Sequence, residues 1–213
     1  PVTDTFVTYS VLAVYSAMAV YTLAFVLFAL DLARRSAASP ADVAAPKTPR
    51  YLRAAIALTV IAWALHVSAA VLRGLAAGRV PWANMFEFTL TATAIIVGVF
   101  LAIQFWQDLR FLGAFITGFA LIALGVATVN FYVDVVPLPP ALQSVWLVIH
   151  VFVASLGTGF FALGAGLSVM QLMKERRLAG KARRLTFLDT LPAPEKLENT
   201  AYRLIVVGFV LWT

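Results

Sequence analysis

Only two side chains in this 213-residue chain are imidazoles, His66 and His150, and cysteine is absent. A neutral imidazole can ligate a metal through either ring nitrogen or relay a proton near neutral pH. The lack of thiols excludes disulfides, zinc–thiolate sites, thiol redox catalysis and a Cys-x-x-Cys-His attachment motif within the stretch. A third candidate is the polar segment Asn84-Met85-Phe86-Glu87, which follows Pro81 and Trp82. Such groups act only if something rigid holds them, so the elements that carry them come next.

Hydrophobic residues make up 62% of the chain and charged ones 12%, with a mean hydropathy of +0.91. A soluble domain is nearer half apolar and a quarter charged. The apolar residues gather into segments at about 6–30, 54–72, 86–106, 111–130, 145–172 and 203–213. Runs of this length cross a hydrocarbon core as helices. The sequence therefore predicts an all-α polytopic transmembrane bundle of about six spans, forming one membrane domain over 1–213. The first run is too long for a signal-peptide core and lacks a basic leader, so it reads as a retained span. The last run stops at Leu211-Trp212-Thr213 short of span length, and the chain is expected to continue.

Orientation follows from the basic residues. Of the 16 lysines and arginines, all but Arg73 and Arg79 fall in the 34–53 and 174–203 segments or at Arg110. The positive-inside rule places those segments in the cytoplasm. The N-terminus and the 73–85 and 131–144 loops are then outside. The net charge of +6 reflects this topology and contact with anionic lipid, and requires no nucleic-acid partner. Residues 36–48 read as a flexible loop. Asp108 and Arg110 mark a short hairpin between the third and fourth spans. Pro137, Pro139 and Pro140 stiffen the loop that contains Asp134. Residues 174–191 suggest an amphipathic helix lying in the interface.

Within this frame His150 lies one to two turns inside the fifth span, roughly 10 Å below its outer entry at about 1.5 Å per residue. Ala154 and Gly157 follow on the same face and leave room for a flat ligand beside the imidazole. The alternative is that these small residues pack another helix and His150 bonds to a neighbour. His66, in the outer half of the second span, could be a second ligand, a relay or a structural histidine, with a structural or supporting role favoured. Asn84 and Glu87 have the spacing of a capping box, with Trp82 as an interface anchor. Glu87 could also orient a ligand imidazole. The aromatic residues Trp146, Phe152, Phe160 and Phe161 read as core or interface belt.

Pro81-Trp82-Ala83-Asn84-Met85-Phe86-Glu87 resembles the P-x-x-N-x-[YF]-E segment of the CcsA/ResC-type cytochrome c biogenesis proteins (CcsB in some bacteria). Arg73-Gly74-Leu75-Ala76-Ala77-Gly78-Arg79 is similar to that family's approach to the motif. Trp146-Leu147-Val148-Ile149-His150, with the small-residue helix ending in Met173-Lys174-Glu175-Arg176, resembles its first outward-facing haem-ligand span. The resemblance implies the N-terminal part of a system II cytochrome c synthase (haem lyase) subunit. It implies haem b, held non-covalently in transit, with His150 as an axial ligand and Trp146 and Gly157 beside it. It also implies a ResB/Ccs1-like membrane partner, apocytochrome c bearing Cys-x-x-Cys-His, and a thioredoxin-like thiol reductant. The location implied is a bacterial cytoplasmic membrane, or a thylakoid membrane in a plastid, with the active face outside. A tryptophan-rich loop and a second outward-facing histidine are expected beyond Thr213. A haem exporter or other secondary transporter is one alternative, and it calls for broken spans and midplane polar groups. A non-catalytic membrane anchor is another.

Overall fold

The computed structural model describes residues 2–37, 50–136, 144–181 and 185–213. Six α-helices account for most of them: α1 (Val2–Ala37), α2 (Arg50–Ala77), α3 (Met85–Ile103), α4 (Gly113–Asn130), α5 (Val145–Leu178) and α6 (Pro194–Trp212). No strand occurs among the described residues. Helices satisfy their own backbone hydrogen bonds, which a chain this apolar needs in lipid. The first five are long and apolar enough to cross a membrane. The sixth starts earlier than its apolar run suggests, at Pro194, and its first half carries Glu195, Lys196, Glu198 and Arg203. Leu12, Leu23, Ile122 and Val129 are among many large apolar side chains left exposed on the flanks, as lipid-facing residues are. The protein is a helical, multi-pass membrane bundle.

Successive helices run antiparallel. The "upper" end below is the one holding the α2–α3 connection, residues 131–136 and the start of α5. The "lower" end holds the α3–α4 connection and the start of α6.

Packing follows two stripes that repeat every seven residues. On α1, Ser10, Val14, Ala17, Tyr21, Ala24, Phe28 and Asp31 are all buried. On α2, the matching stripe is Ala55, Thr59, Ala62, His66, Ala69, Arg73 and Ala76. A strict seven-residue period keeps one seam of each helix facing its partner, and the alanines let the two backbones approach. The Ser10 hydroxyl closes the seam by donating to the Ala69 carbonyl at 2.9 Å. The same stripe carries His66 and Arg73 into the interior, so the packing of α1 on α2 positions both.

The central helix is α3, buried along much of its length from Phe86 to Ile103 and contacted by α2, α4 and α5. Trp63 of α2 donates its indole N–H to the Ala94 carbonyl of α3 at 2.8 Å. Helix α6 packs along α5, where a Cβ on Gly157 would stand 2.9 Å from the Gly208 carbonyl oxygen. Only glycine permits that approach.

Residues 174–181 correct one expectation. Among the described residues no single helix runs over 174–191: α5 continues through Leu178 and the chain turns at Gly180, whose φ of 77° suits glycine. A short 3-10 turn follows at Thr186–Thr190. Lys174 is buried rather than spread on a polar face, because its ammonium donates to the Leu191 carbonyl. Pro137, Pro139 and Pro140, and most of the 36–48 segment, lie outside the described residues.

Candidate functional site

The upper half of the bundle contains two polar networks and one open helix face. The first network centres on His66, which is fully buried. Its Nε2 faces the Leu90 carbonyl of α3 at 2.8 Å. A carbonyl can only accept, so Nε2 carries the proton. Nδ1 is then left to accept from the Tyr21 hydroxyl of α1 at 3.3 Å, with the rings edge to face at 5.9 Å. The Thr93 hydroxyl stands 3.4 Å from Nε2. Both ring nitrogens are occupied, and the imidazole ties three helices together.

The second network lies closer to the upper rim. Asn84, extended at φ −141°, caps α3 by accepting the Glu87 N–H at 2.9 Å. The Glu87 carboxylate turns back, but to the Ala83 N–H at 3.1 Å, one residue before the position a standard capping box would use. Its main partners are two guanidinium groups. Arg73 Nε donates to Oε1 at 3.1 Å, and Arg79 Nη1 donates to Oε2 at 2.7 Å. Arg73 and Glu87 are both almost wholly buried. Each arginine then reaches on to the segment that follows α4. Arg73 donates to the Val133 carbonyl at 2.6 Å and Arg79 to the Val136 carbonyl at 3.0 Å. The Arg73 guanidinium also lies over the rings of Phe86 and Tyr132, 5.4 and 5.6 Å from their centroids.

One carboxylate thus serves a buried and a part-buried cation, and together they hold the segment that follows α4. Arg73 Nη1, Arg79 Nε and Asn84 Nδ2 keep no protein partner among the described residues. The basic-residue pattern placed Arg73 in the outer loop; it is in fact the last interior position but one of the α2 stripe. A signal for this did exist, since an arginine at the end of a span that faces an intramembrane glutamate is a buried pair by default. Pro81 is buried and its carbonyl accepts from Thr91 at 2.7 Å, which ties the connection down on α3, while Trp82 is half-buried beside it. Neither histidine is hydrogen-bonded to Glu87 among the described residues.

The open face belongs to α5. His150 is exposed, one and a half turns from the helix start, and has no protein hydrogen bond among the described residues. Trp146, one turn earlier, is 79% exposed. Seven residues inward on the same face, Gly157 is covered by Gly208 and Trp212 of α6. The space beside Gly157 is therefore filled by a helix, while the same face is open where His150 stands. An apolar groove of about 860 Å³ runs between α2, α3 and α5, with Arg79 and Pro81 at its upper end and Phe152 and Leu156 on its α5 wall. Phe152 is about 200° around the helix from His150, so the groove and the imidazole lie on different faces. No cluster of three or more metal-binding side chains occurs among the described residues.

Comparison with known proteins now has a geometry to be set against. The family described as "Cytochrome C assembly protein" matches residues 82–213, from Trp82 through the whole of α3 to α6. The chain belongs to that family. It is 27% identical over 170 residues to "Cytochrome c biogenesis protein CcsA" of Trieres chinensis, covering 66% of this chain and 54% of that protein. It is 26% identical over 158 residues to the protein of the same name in Guillardia theta, covering 66% of this chain and 52% of that one. It is also 30% identical over 158 residues to "Protein HemX" of Brevibacillus brevis, covering 73% and 57%. The chain spans about half the length of these curated relatives. The matched family region takes in Asn84, Glu87, Trp146, His150 and Gly157, and leaves out His66 and Arg73.

Proposed function

We propose that this cytochrome c assembly protein holds haem at the upper end of the bundle, on the outer face of the membrane, for thioether attachment to apocytochrome c. The observation that carries the reading is the contrast between the imidazoles. His66 has both nitrogens committed, whereas His150 is exposed and without a protein partner among the described residues. A neutral imidazole in that state suits an axial ligand to haem iron. Haem, when bound, would supply the vinyl groups to which the substrate's thiols add.

The chain's own residues supply position. Asn84 and Glu87 order the start of α3, and Arg73 and Arg79 tie residues 133–136 to it, at the same end of the bundle as His150. Trp146, exposed one turn above, offers an aromatic face beside the imidazole. This contribution is orientation and proximity. The absence of cysteine leaves haem free to be passed on, since nothing in the stretch can hold it by a thioether. The distribution of basic residues supports an upper end that faces outward. The partners in this reading are a ResB/Ccs1-like subunit, apocytochrome c with its Cys-x-x-Cys-His motif, and a thiol reductant that keeps those cysteines reduced.

The deciding experiment is an absorption spectrum of the full-length protein purified with its partner, for wild type, His150→Ala and His66→Ala. Loss or weakening of the low-spin haem bands in His150→Ala alone supports the reading. Equal haem in wild type and His150→Ala would overturn it. Orientation is testable separately, because the stretch is cysteine-free. A single cysteine at Asp134 should react with an impermeant maleimide on intact cells, and one at Gln107 should not.

A further inference from the structure

At the lower end, far from His150, the bundle forms a partly open polar cavity of about 760 Å³. Its walls are the end of α1, Leu52 of α2, the α3–α4 connection, Leu167 of α5, Thr190 and Pro192, and the first three turns of α6. Four basic side chains line it, Arg35, Arg110, Lys196 and Arg203, against one acidic one, Asp108. Two of the four are already neutralised. Arg35 pairs with Asp31 at 2.8 Å, and Arg110 chelates Asp108, its Nε at 2.7 Å. Lys196 and Arg203 meet no carboxylate among the described residues, and Arg203 has only the Asn199 amide oxygen at 3.2 Å.

Those two cations are not scattered. Lys196, Asn199, Thr200 and Arg203 follow at helical spacing i, i+3, i+4 and i+7, so α6 presents one cationic, hydrogen-bonding face to the cavity. The acidic residues of the same helix, Glu195 and Glu198, line a separate depression against α5. Charge is thereby sorted around α6, positive toward the cavity and negative away from it. The N-cap residue Ala193 brings no side-chain cap to the helix start, and the acidic residue of the first turn, Glu195, lines the other depression and not this cavity. Phe105 and Trp106 stand exposed at the same end of the bundle, where aromatic side chains meet the boundary between lipid and water.

We propose that this cavity binds a phosphate group, held chiefly by Lys196 and Arg203. Excess cationic charge, hydroxyl and amide donors, and a location between helix ends at the interface are the features that suit a phosphate-bearing anion. The same chemistry is offered by two sources: the headgroup of an anionic phospholipid, or free phosphate. The depth marked by Trp106 lets a headgroup reach the cavity from the adjoining leaflet. The site is independent of the haem reading, and it stands whichever way the bundle is oriented.

The test uses the full-length protein with its partner. Retention of phosphatidylglycerol and of phosphatidylcholine is measured by native mass spectrometry, and inorganic phosphate is titrated by calorimetry. Wild type is compared with Lys196→Gln, Arg203→Gln, the double variant, and Lys181→Gln as a control at an exposed lysine of the same end. The expected result is preferential retention of phosphatidylglycerol, weakened about tenfold for each cavity substitution and unchanged in the control, as loss of one charge-assisted bond predicts. Binding of inorganic phosphate with the same dependence on Lys196 and Arg203, without lipid preference, supports the site and assigns it a soluble source. No binding of either probe overturns the proposal, as does an equal loss in Lys181→Gln. Thermal unfolding of each variant, together with its haem content, separates loss of the site from loss of the fold.

Discussion

His66 and His150 are chemically the same side chain in opposite surroundings within one half of the bundle. Around His66, α1 contributes the Tyr21 hydroxyl and α3 the Leu90 carbonyl and Thr93 hydroxyl, and both ring nitrogens are used. His150 is exposed on its helix and has no hydrogen-bond partner among the described residues. The lesson is that burial alone does not mark a reactive imidazole here. The fully buried histidine is the one built into the scaffold. The exposed one retains a lone pair to offer.

The comparison can be broken most sharply at Glu87, which anchors the sealed region. Glu87→Ala strands two arginines in the interior and should destabilise the protein by about 3–5 kcal/mol. A detergent-solubilised thermal or denaturant unfolding series would read this, and a loss under about 1 kcal/mol would mean that the arginines reach water. His66→Ala should come next, at about 1–3 kcal/mol, from unsatisfied groups left on Leu90 and Tyr21. Haem bands, if carried by His150, should keep their shape in that variant. Asn84→Ala removes only the cap on α3 and should cost about 1 kcal/mol.

His150→Ala sharpens the contrast from the other side. An exposed residue without a hydrogen-bond partner among the described residues should change stability by no more than about 0.5 kcal/mol, while haem retention collapses. A large stability loss with unchanged haem would reverse the roles assigned to the two histidines. The smallest effect is expected at the lower rim. Arg110 beside Asp108 holds its carboxyl below the usual carboxylate range, despite partial burial that pulls the other way. A carboxylate with a depressed folded pKa adds stability above its unfolded value near 3.9 and loses it as pH falls through the folded value. Acidification below about pH 4 should therefore loosen the α3–α4 connection slightly, and Asp108→Asn should remove that part of the pH dependence.

Much of the bundle is legible in the chain itself, because lipid imposes so few solutions. Apolar runs of span length must be helices, and the short link around Asp108 and Arg110 forces α3 and α4 into a hairpin. The cap at Asn84 is equally legible, since an asparagine three residues before a glutamate at a helix start has few other uses. Helix ends are less so. The α1 and α2 helices run beyond their apolar cores on both sides, since helical hydrogen bonding continues into the polar rim. The expected interfacial helix at 174–191 does not form because Lys174 finds the Leu191 carbonyl and Gly180 gives α5 a place to stop.

What the sequence by itself determined, then, is which residues must lie within the membrane and which two rings could serve a metal. Hydropathy and residue type are local properties, and they hold whatever the packing. Tertiary structure alone decided which ring is free. That choice depends on whether α1 and α3 bring a hydroxyl and a carbonyl to His66. It also decided that Arg73, Arg79 and Glu87 meet, and that Lys196 and Arg203 line a cavity instead of a plain rim. Each of these is a matter of helix register across the bundle, set by the seven-residue stripes of α1 and α2 and the glycine contact of α5 with α6. Partners contributed by distant segments cannot be counted until that register is known.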